Sequence, residues 1–286
     1  MSKCSKEQSL NDRVKVAYLG PEGTFSQAAV VNHFGKDCHL QDCNSIDDVF
    51  TAVASKKVNY GVVPVENSTE GAVNNTQDCL IDSKLQIVGE EIVPIDHNLL
   101  THPDTELSSV KKIASHKQSL AQCRNWIQQN FPNVELVECS SNAQAAKLAL
   151  EDSSVAAIAG ALAADVYGLR AQTEKIQDQE HNSTRFLVLA NHGTEPSGND
   201  KTSVLIYAEN KPGALFRILE PFENLQVSLT KIETRPAKIE AWAYVFFIDF
   251  EGHVNDEIVV ELFGRLQTCT AEIKVLGSYP AFEISN

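Results

Sequence analysis

Ten consecutive residues, Asn191-His192-Gly193-Thr194-Glu195-Pro196-Ser197-Gly198-Asn199-Asp200, carry no aliphatic side chain and lie between two apolar, β-rich runs. A stretch of that kind has nothing to bury, so it reads as a linker between residues 14–190 and residues 201–282. The patterns on its two sides differ. Upstream, short apolar runs alternate with helical spacing: Val14–Leu19 then Phe25–Phe34, Tyr60–Val65 then a helix near Asn74–Ile81, Ile113–Ser115 then Lys117–Asn130, Val155–Ala159 then Ala161–Tyr167. That alternation predicts an α/β domain with largely parallel sheets. Downstream, Thr202–Ala208, Ala214–Asn224, Val227–Glu233, Ala241–Phe250, Asp256–Gln267 and Glu272–Tyr279 follow the order βαββαβ of a ferredoxin-like domain. In its second helix Ile258, Leu262 and Leu266 share one face, with Val259 and Phe263 beside them.

Charge narrows the function. The chain of 286 residues carries −14, of which −5 falls in residues 200–286. No basic cluster is present to displace the counterions of a nucleic acid, so nucleic-acid binding is excluded. Any anion site must be built from local donors, such as helix N-termini and a few Arg or Lys. The seven cysteines contain no C-x-x-C, which argues for reduced thiols rather than a disulfide framework or a zinc site. No apolar run reaches the ~18 residues of a membrane span and the N-terminal residues lack a secretion signal, so a soluble, cytoplasmic protein without membrane attachment is expected.

Three segments repeat one local device: Thr24-Phe25-Ser26-Gln27, Ser115-His116-Lys117-Gln118 and Ser141-Asn142-Ala143-Gln144 each read as a capping box. In open α/β sheets ligands sit beyond the carboxyl ends of strands, where these helices begin, so three positive dipole ends could face one cleft. Gly20-Pro21-Glu22-Gly23 lets the backbone turn sharply and approach a ligand, but its G-x-x-G spacing is no dinucleotide fingerprint. The polar turn Pro64-Val65-Glu66-Asn67-Ser68-Thr69-Glu70-Gly71 ends a buried strand at the same edge. Arg185, between Thr184 and Phe186 at the mouth of the strand Phe186–Leu189, could offer a bidentate donor to a carboxylate. There is no G-x-S-x-G, H-E-x-x-H or P-loop, and His97, His102 and His116 lack metal-ligand spacing and read as structural or surface residues.

Taken in order, Gly20–Ser26, Pro64–Ser68 with Gly71, Ser115-His116 through Gln122-Cys123, Thr184-Arg185-Phe186, Asn210–Leu215 and Glu233–Pro236 resemble the prephenate dehydratases with a C-terminal ACT regulatory domain. The likeness runs from about Val14 to Tyr279. It departs at Lys117, where the family usually has Pro, and at Thr234, where it usually has Ser.

The resemblance implies a catalytic domain of two α/β lobes, similar to periplasmic binding proteins, with a cleft between them. The chain would cross between lobes near Pro94–Asn98 and near Thr184–Phe186, placing Thr184 at the cleft floor. The implied activity is that of a carbon–oxygen lyase converting prephenate to phenylpyruvate, CO2 and water, with no metal or other cofactor. Thr184 would be the catalytic donor to the departing hydroxide. Arg185, Asn67, Ser68, Ser115, Gln122, Thr24, Phe25 and Phe186 would bind substrate, with Ser115 and Gln122 on one helix face two turns apart. L-Phenylalanine would bind between paired ACT domains at Asn210, Pro212, Gly213, Ala214, Leu215, Glu233, Thr234, Arg235 and Pro236, in a homodimer or homotetramer. The apolar strand Trp242–Ile248 fits one covered on each side, with subunit pairing as one possible cover. An arogenate dehydratase is the alternative enzyme. A non-catalytic amino-acid sensor is a different class, disfavoured by the retention of Thr184-Arg185-Phe186.

Overall fold

A computed structural model describes residues 13–208, 211–236 and 244–282. It divides into two compact units, one made of the chain up to Gln77 with Glu91–Phe186, the other of Asp78–Glu90 with Leu187 onward. No helix among the described residues is long and apolar enough to cross a membrane.

The chain begins with β1 (Lys15–Leu19), α1 (Phe25–Phe34), β2 (His39–Cys43), α2 (Ile46–Ala54), β3 (Tyr60–Asn67), the short β4 (Gly71–Ala72), α3 (Asn74–Asp82) and β5 (Gln86–Pro94). It continues with β6 (Asn98–Thr101), β7 (Lys112–His116), α4 (Lys117–Gln122), α5 (Arg124–Asn130), β8 (Glu135–Cys139), α6 (Asn142–Glu151), β9 (Val155–Ala159), α7 (Ala161–Tyr167) and β10 (Arg170–Thr173), then returns through β11 (Ser183–Ala190). Two sheets result, β2-β1-β3-β11-β5 with β4 beside β3, and β10-β6-β9-β7-β8. The helix-linked strands are parallel, β1 with β2 and β3, β7 with β8 and β9. β6 runs antiparallel to both its neighbours, β9 and β10: it follows β5 with no helix between, whereas α7 carries the chain from β9 across to β10. The central strand β9 is buried along its whole length, as a strand covered on both faces must be. In α2, Ile46, Val49, Phe50 and Val53 form the buried stripe that its spacing dictates.

The two crossings between the sheets are bonded to each other. Ile95 N–H donates to the Asn182 carbonyl at 2.9 Å, Ile176 N–H to the His97 carbonyl at 2.8 Å, and His97 N–H to Gln177 Oε1 at 2.9 Å.

The sequence suggests one helix over Lys117–Asn130, but the structure breaks it at Cys123 (φ −112°, ψ 15°) into α4 and α5. Asp178 explains the break. Its carboxylate accepts from the Asn125 and Trp126 amides at 3.0 and 3.3 Å and so caps α5 as a new helix.

The C-terminal strands and helices are β12 (Asp200–Tyr207), α8 (Ala214–Asn224), β13 (Leu229–Pro236), β14 (Tyr244–Glu251), α9 (Glu257–Leu266) and β15 (Glu272–Pro280). They form an antiparallel sheet of order β13-β14-β12-β15, the ferredoxin-like βαββαβ arrangement. α9 turns differently from expectation: Val259, Leu262 and Leu266 are buried and Ile258 is 46% exposed. Val259 packs with Phe222 and Phe250 in the core, which rotates the buried stripe by one residue.

Val204, Ile206, Phe246, Ile248 and Phe250 face that helical core. The opposite face carries Lys201, Lys274 and Arg235, each bonded within the same unit to the segment Asp78–Glu90. Lys201 Nζ lies 2.6 Å from Glu90 and Arg235 Nη2 2.7 Å from Asp78, while Lys274 Nζ donates to the carbonyls of Leu80, Ile81 and Ser83. A segment of the same chain is thus fastened to β12, β13 and β15, the strands around β14, on the face away from the helices. Trp242 and Ala243 of the predicted strand Trp242–Ile248 lie outside the described residues. Residues 191–200 are pinned: Asp200 accepts from the Ser197 and Gly198 amides, and Thr194 Oγ1 donates to Ser278 O.

Candidate active site

A cleft of about 750 Å³ opens between the two α/β sheets of the first unit. One wall holds Leu19–Pro21, Gly23–Ser26, Asp42–Asn44 and Asn67, the other His116, Ser119, Gln122, Ser141, Asn142 and Lys147. Ile95, His97 and Thr184 come from the crossings and the strand that follows them.

Two of the three expected helix caps form at its rim. Thr24 Oγ1 accepts from Gln27 N–H at 3.4 Å, and Ser141 Oγ accepts from Gln144 N–H at 3.0 Å. In both, the glutamine reaches one residue further back than a standard box, to Gly23 N–H at 2.5 Å and to Ser140 N–H at 2.8 Å. Ser115 is not a cap. β7 runs on through His116, which becomes the N-cap and accepts from Gln118 N–H through Nδ1 at 3.4 Å. Ser115 is fully buried in the strand, its Oγ 2.6 Å from the Ile158 carbonyl, and it shares no helix face with Gln122. Neither Ser115 nor Lys117 lines the cleft. Asn142, which the sequence analysis did not single out, does: its Oδ1 accepts from His116 N–H at 3.2 Å and Ser119 O–H at 2.9 Å, fastening the start of α4.

The glycine turn lines the cleft and is also tightly packed from behind. Gly23 has φ +82°, and a Cβ there would meet the Tyr167 ring at 2.9 Å; one on Gly20 would meet Asp42 Cβ at 2.8 Å. Tyr167 O–H in turn donates to the Glu22 carbonyl at 2.7 Å, tying the two lobes at the cleft rim.

Thr184, 9% exposed, lies on the cleft floor, where its Oγ1 accepts from Asn67 Nδ2 at 2.9 Å. Phe25 lines the cleft with its ring edge-on to His97, centroids 5.9 Å apart. Gln122 faces the cleft from α4, its Oε1 2.8 Å from His97 Nε2. His97, set aside on sequence grounds, is therefore a cleft residue. It is 1% exposed, Nδ1 has no hydrogen-bond partner, and burial pushes its pKa below the ordinary histidine value, against smaller opposing effects from the Gln122 bond and Asp96. The signal available in sequence was its place in the Pro94–Asn98 crossing.

Besides Ser115, three expected residues lie elsewhere. Side chains alternate along β11, so Arg185 turns away from the cleft and its Nη1 meets Glu66 Oε1 of neighbouring β3 at 3.3 Å. Phe186 is 2% exposed and belongs to the core. Ser68 ties strand ends together, accepting from Ser183 N–H at 3.0 Å and donating to Asn182 Oδ1 at 3.3 Å. Lys147 of α6 is the only lysine or arginine among the described residues lining the cleft, and its Nζ stands 5.8 Å from the Tyr167 ring centroid.

Comparison with known proteins decides the family. The profile described as prephenate dehydratase matches residues 16–194, and that of the ACT domain matches residues 202–266. The chain belongs to the prephenate dehydratase family. A bifunctional chorismate mutase/prephenate dehydratase of Pseudomonas aeruginosa is 48% identical over 98% of this chain and 76% of its own. A prephenate dehydratase of Methanocaldococcus jannaschii is 38% identical over 94% of this chain and 98% of its own. Among solved structures, a prephenate dehydratase from Arthrobacter aurescens in complex with L-Phe superposes with a TM-score of 0.86 at 36% identity, covering 94% of this chain and 90% of its own.

In the ACT domain of this prephenate dehydratase family member, both expected effector segments lie at one end of the sheet. Tyr207, which leads into the first, and Arg235 of the second both pair with Val245 of β14. Asn210 lies outside the described residues. Gly213 (φ +75°) is the N-cap of α8, followed by Ala214 and a 40% exposed Leu215, and the Pro212 carbonyl accepts from Arg217 Nη1 at 3.0 Å. Glu233 pairs with Lys231 at 3.4 Å, and Thr234 and Pro236 complete the strand end.

Proposed function

We propose that this chain converts prephenate to phenylpyruvate, CO2 and water, and that L-phenylalanine inhibits it through the ACT domain. One observation carries the catalytic reading: the Thr184 hydroxyl accepts a hydrogen bond from Asn67, which leaves its own proton available to the cleft. As the bond from ring carbon to the carboxylate breaks, its electron pair enters the ring. The pair of the carbon–hydroxyl bond leaves with the oxygen, and one proton taken up makes water. Aromatisation drives both cleavages. Thr184 supplies a hydrogen bond that strengthens as charge builds on the departing oxygen, and solvent restores any proton passed on.

Lys147 and the amide-rich starts of α1 and α6 hold the side-chain carboxylate, Gln122 and Asn67 add neutral donors, and Phe25 borders the ring. Arg185 acts indirectly in this reading, by fixing β11 to β3 beside Asn67. Residues 14–190 form the catalytic domain, 191–200 the connection and 201–282 the regulatory domain, in a cytoplasmic homodimer or homotetramer. Edge strand β13, with Ile232 45% exposed, supports pairing between copies, and sedimentation equilibrium measures the stoichiometry.

The test is to supply purified protein with prephenate and, separately, with arogenate, following phenylpyruvate and phenylalanine. Formation of phenylpyruvate supports the proposal. Turnover of arogenate alone points to the amino substrate, and turnover of neither by folded protein overturns it.

A further inference from the structure

The orientation of every side-chain amide around Thr184 follows from two backbone N–H groups. Asn67 Oδ1 lies 3.0 Å from Thr69 N and 3.3 Å from Glu70 N. A backbone N–H can only donate, so that atom is the oxygen, and the atom 2.9 Å from Thr184 Oγ1 is the amide nitrogen. The same oxygen stands 2.6 Å from Thr69 Oγ1, which must therefore donate to it and spend its single proton. Thr69 Oγ1 can then only accept from Gln122, 3.4 Å away, which makes the facing Gln122 atom the nitrogen. The other Gln122 atom is the oxygen, and His97 Nε2, 2.8 Å from it, must carry a proton. Burial favours the neutral ring, so Nδ1 is bare, in keeping with its lack of a partner.

We propose that His97, Gln122, Thr69 and Asn67 form one directional hydrogen-bond chain ending on Thr184 Oγ1, in which His97 and Thr69 are positioning residues that hold the Thr184 hydroxyl with its proton turned into the cleft. All four links run the same way, each donor being also an acceptor from the link before it, so each polarises the next. The chain crosses from α4 in one lobe to the β3–β4 turn in the other at the Gln122–Thr69 link. That is its longest bond, so it is the one that lobe approach would tighten. His97 selects the polarity, since a ring protonated only on Nδ1 would leave the Gln122 oxygen facing a lone pair.

The inference rests on the dehydratase reading, so the parent chain is assayed first: no turnover of prephenate overturns that reading, and every comparison below uses a parent that turns over. Thr69→Val removes the hydroxyl and keeps the shape at an exposed turn; Thr69→Ser keeps the hydroxyl. His97→Phe keeps a ring against Phe25; His97→Gln can donate to Gln122 from the Nε2 position. The expected outcome is a kcat about fivefold lower in the Val and Phe variants, the scale of one net hydrogen bond, with KM within about twofold of the parent. Ser and Gln should recover most of the loss. In a Thr184→Ala background Thr69→Val should cost nothing further, because the chain acts through that hydroxyl. Circular dichroism confirms folding, and if one pair of variants fails to fold the other carries the test. A parental kcat in Thr69→Val and His97→Phe, a loss confined to KM, or the same fold-loss with and without Thr184 would overturn the proposal.

Discussion

Alternation along β11 turns Thr184 to the cleft and Arg185 to Glu66, which leaves Lys147 as the lysine or arginine lining the cleft among the described residues. Lys147→Ala should raise KM about tenfold with little change in kcat, the effect of losing a charge-assisted bond made equally in ground and transition states. Arg185→Ala should lower the melting temperature more than it changes KM; a larger KM effect for Arg185 than for Lys147 would reverse these roles. His97 adds a pH signature. Its folded-state pKa lies below the unfolded value near 6.5, so the unfolded chain binds the proton more tightly and stability falls as pH drops through and below that value. His97→Phe should therefore flatten the loss of stability between about pH 7 and pH 5, measured by urea denaturation. That Thr184, Asn67, Gln122 and Phe25 line the cleft was legible through motif and resemblance. Arg185 and Ser115 do not line the cleft, because β7 and β11 each include the residue in question and strand alternation decides the face it presents.

Helix starts were the most legible elements, since a cap involves residues three or four apart. Another such cap is Ser45, beside Asn44 of the cleft, whose Oγ accepts from Asp48 N–H at 3.1 Å. Where an element's fate depends on a distant partner, sequence was silent: Asp178 splits α4 from α5, and the Val259 contacts rotate α9. Helix α3 ends in the same way. Its Cys79 carbonyl is met locally by Ser83 N–H at 2.9 Å, and the next two are met by Lys274 of β15, 2.9 Å from Leu80 O and 2.7 Å from Ile81 O. Lys274→Met should destabilise the protein by about 2 kcal/mol, the worth of hydrogen bonds from a charged donor to partly buried acceptors. Thermal unfolding beside the parent checks this; an unchanged midpoint would mean water replaces the ammonium without cost.

At the scale of the molecule, the break at residues 191–200 marks a change of pattern, yet the compact unit containing the ACT fold also holds Asp78–Glu90. Nothing local announces that segment, because its bonds to Lys201, Arg235 and Lys274 span more than a hundred residues. Regulation is therefore best tested in the full chain. Gly213 has a backbone angle that L side chains avoid, and a Cβ there would approach Arg217 Nη1 at 3.2 Å. Gly213→Val should raise the phenylalanine concentration needed for half-inhibition of prephenate turnover; a parental inhibition curve would place the effector elsewhere. Inhibition of this kind is a coupling of about 1–3 kcal/mol and is reciprocal in binding, so prephenate should weaken phenylalanine binding by the same factor. All of it presupposes dehydration assisted at one hydroxyl. The direct measurement is kcat for prephenate in Thr184→Ala, with circular dichroism to verify the fold: loss of the donor should lower kcat at least ~100-fold, whereas a folded variant with near-parental kcat would contradict the account.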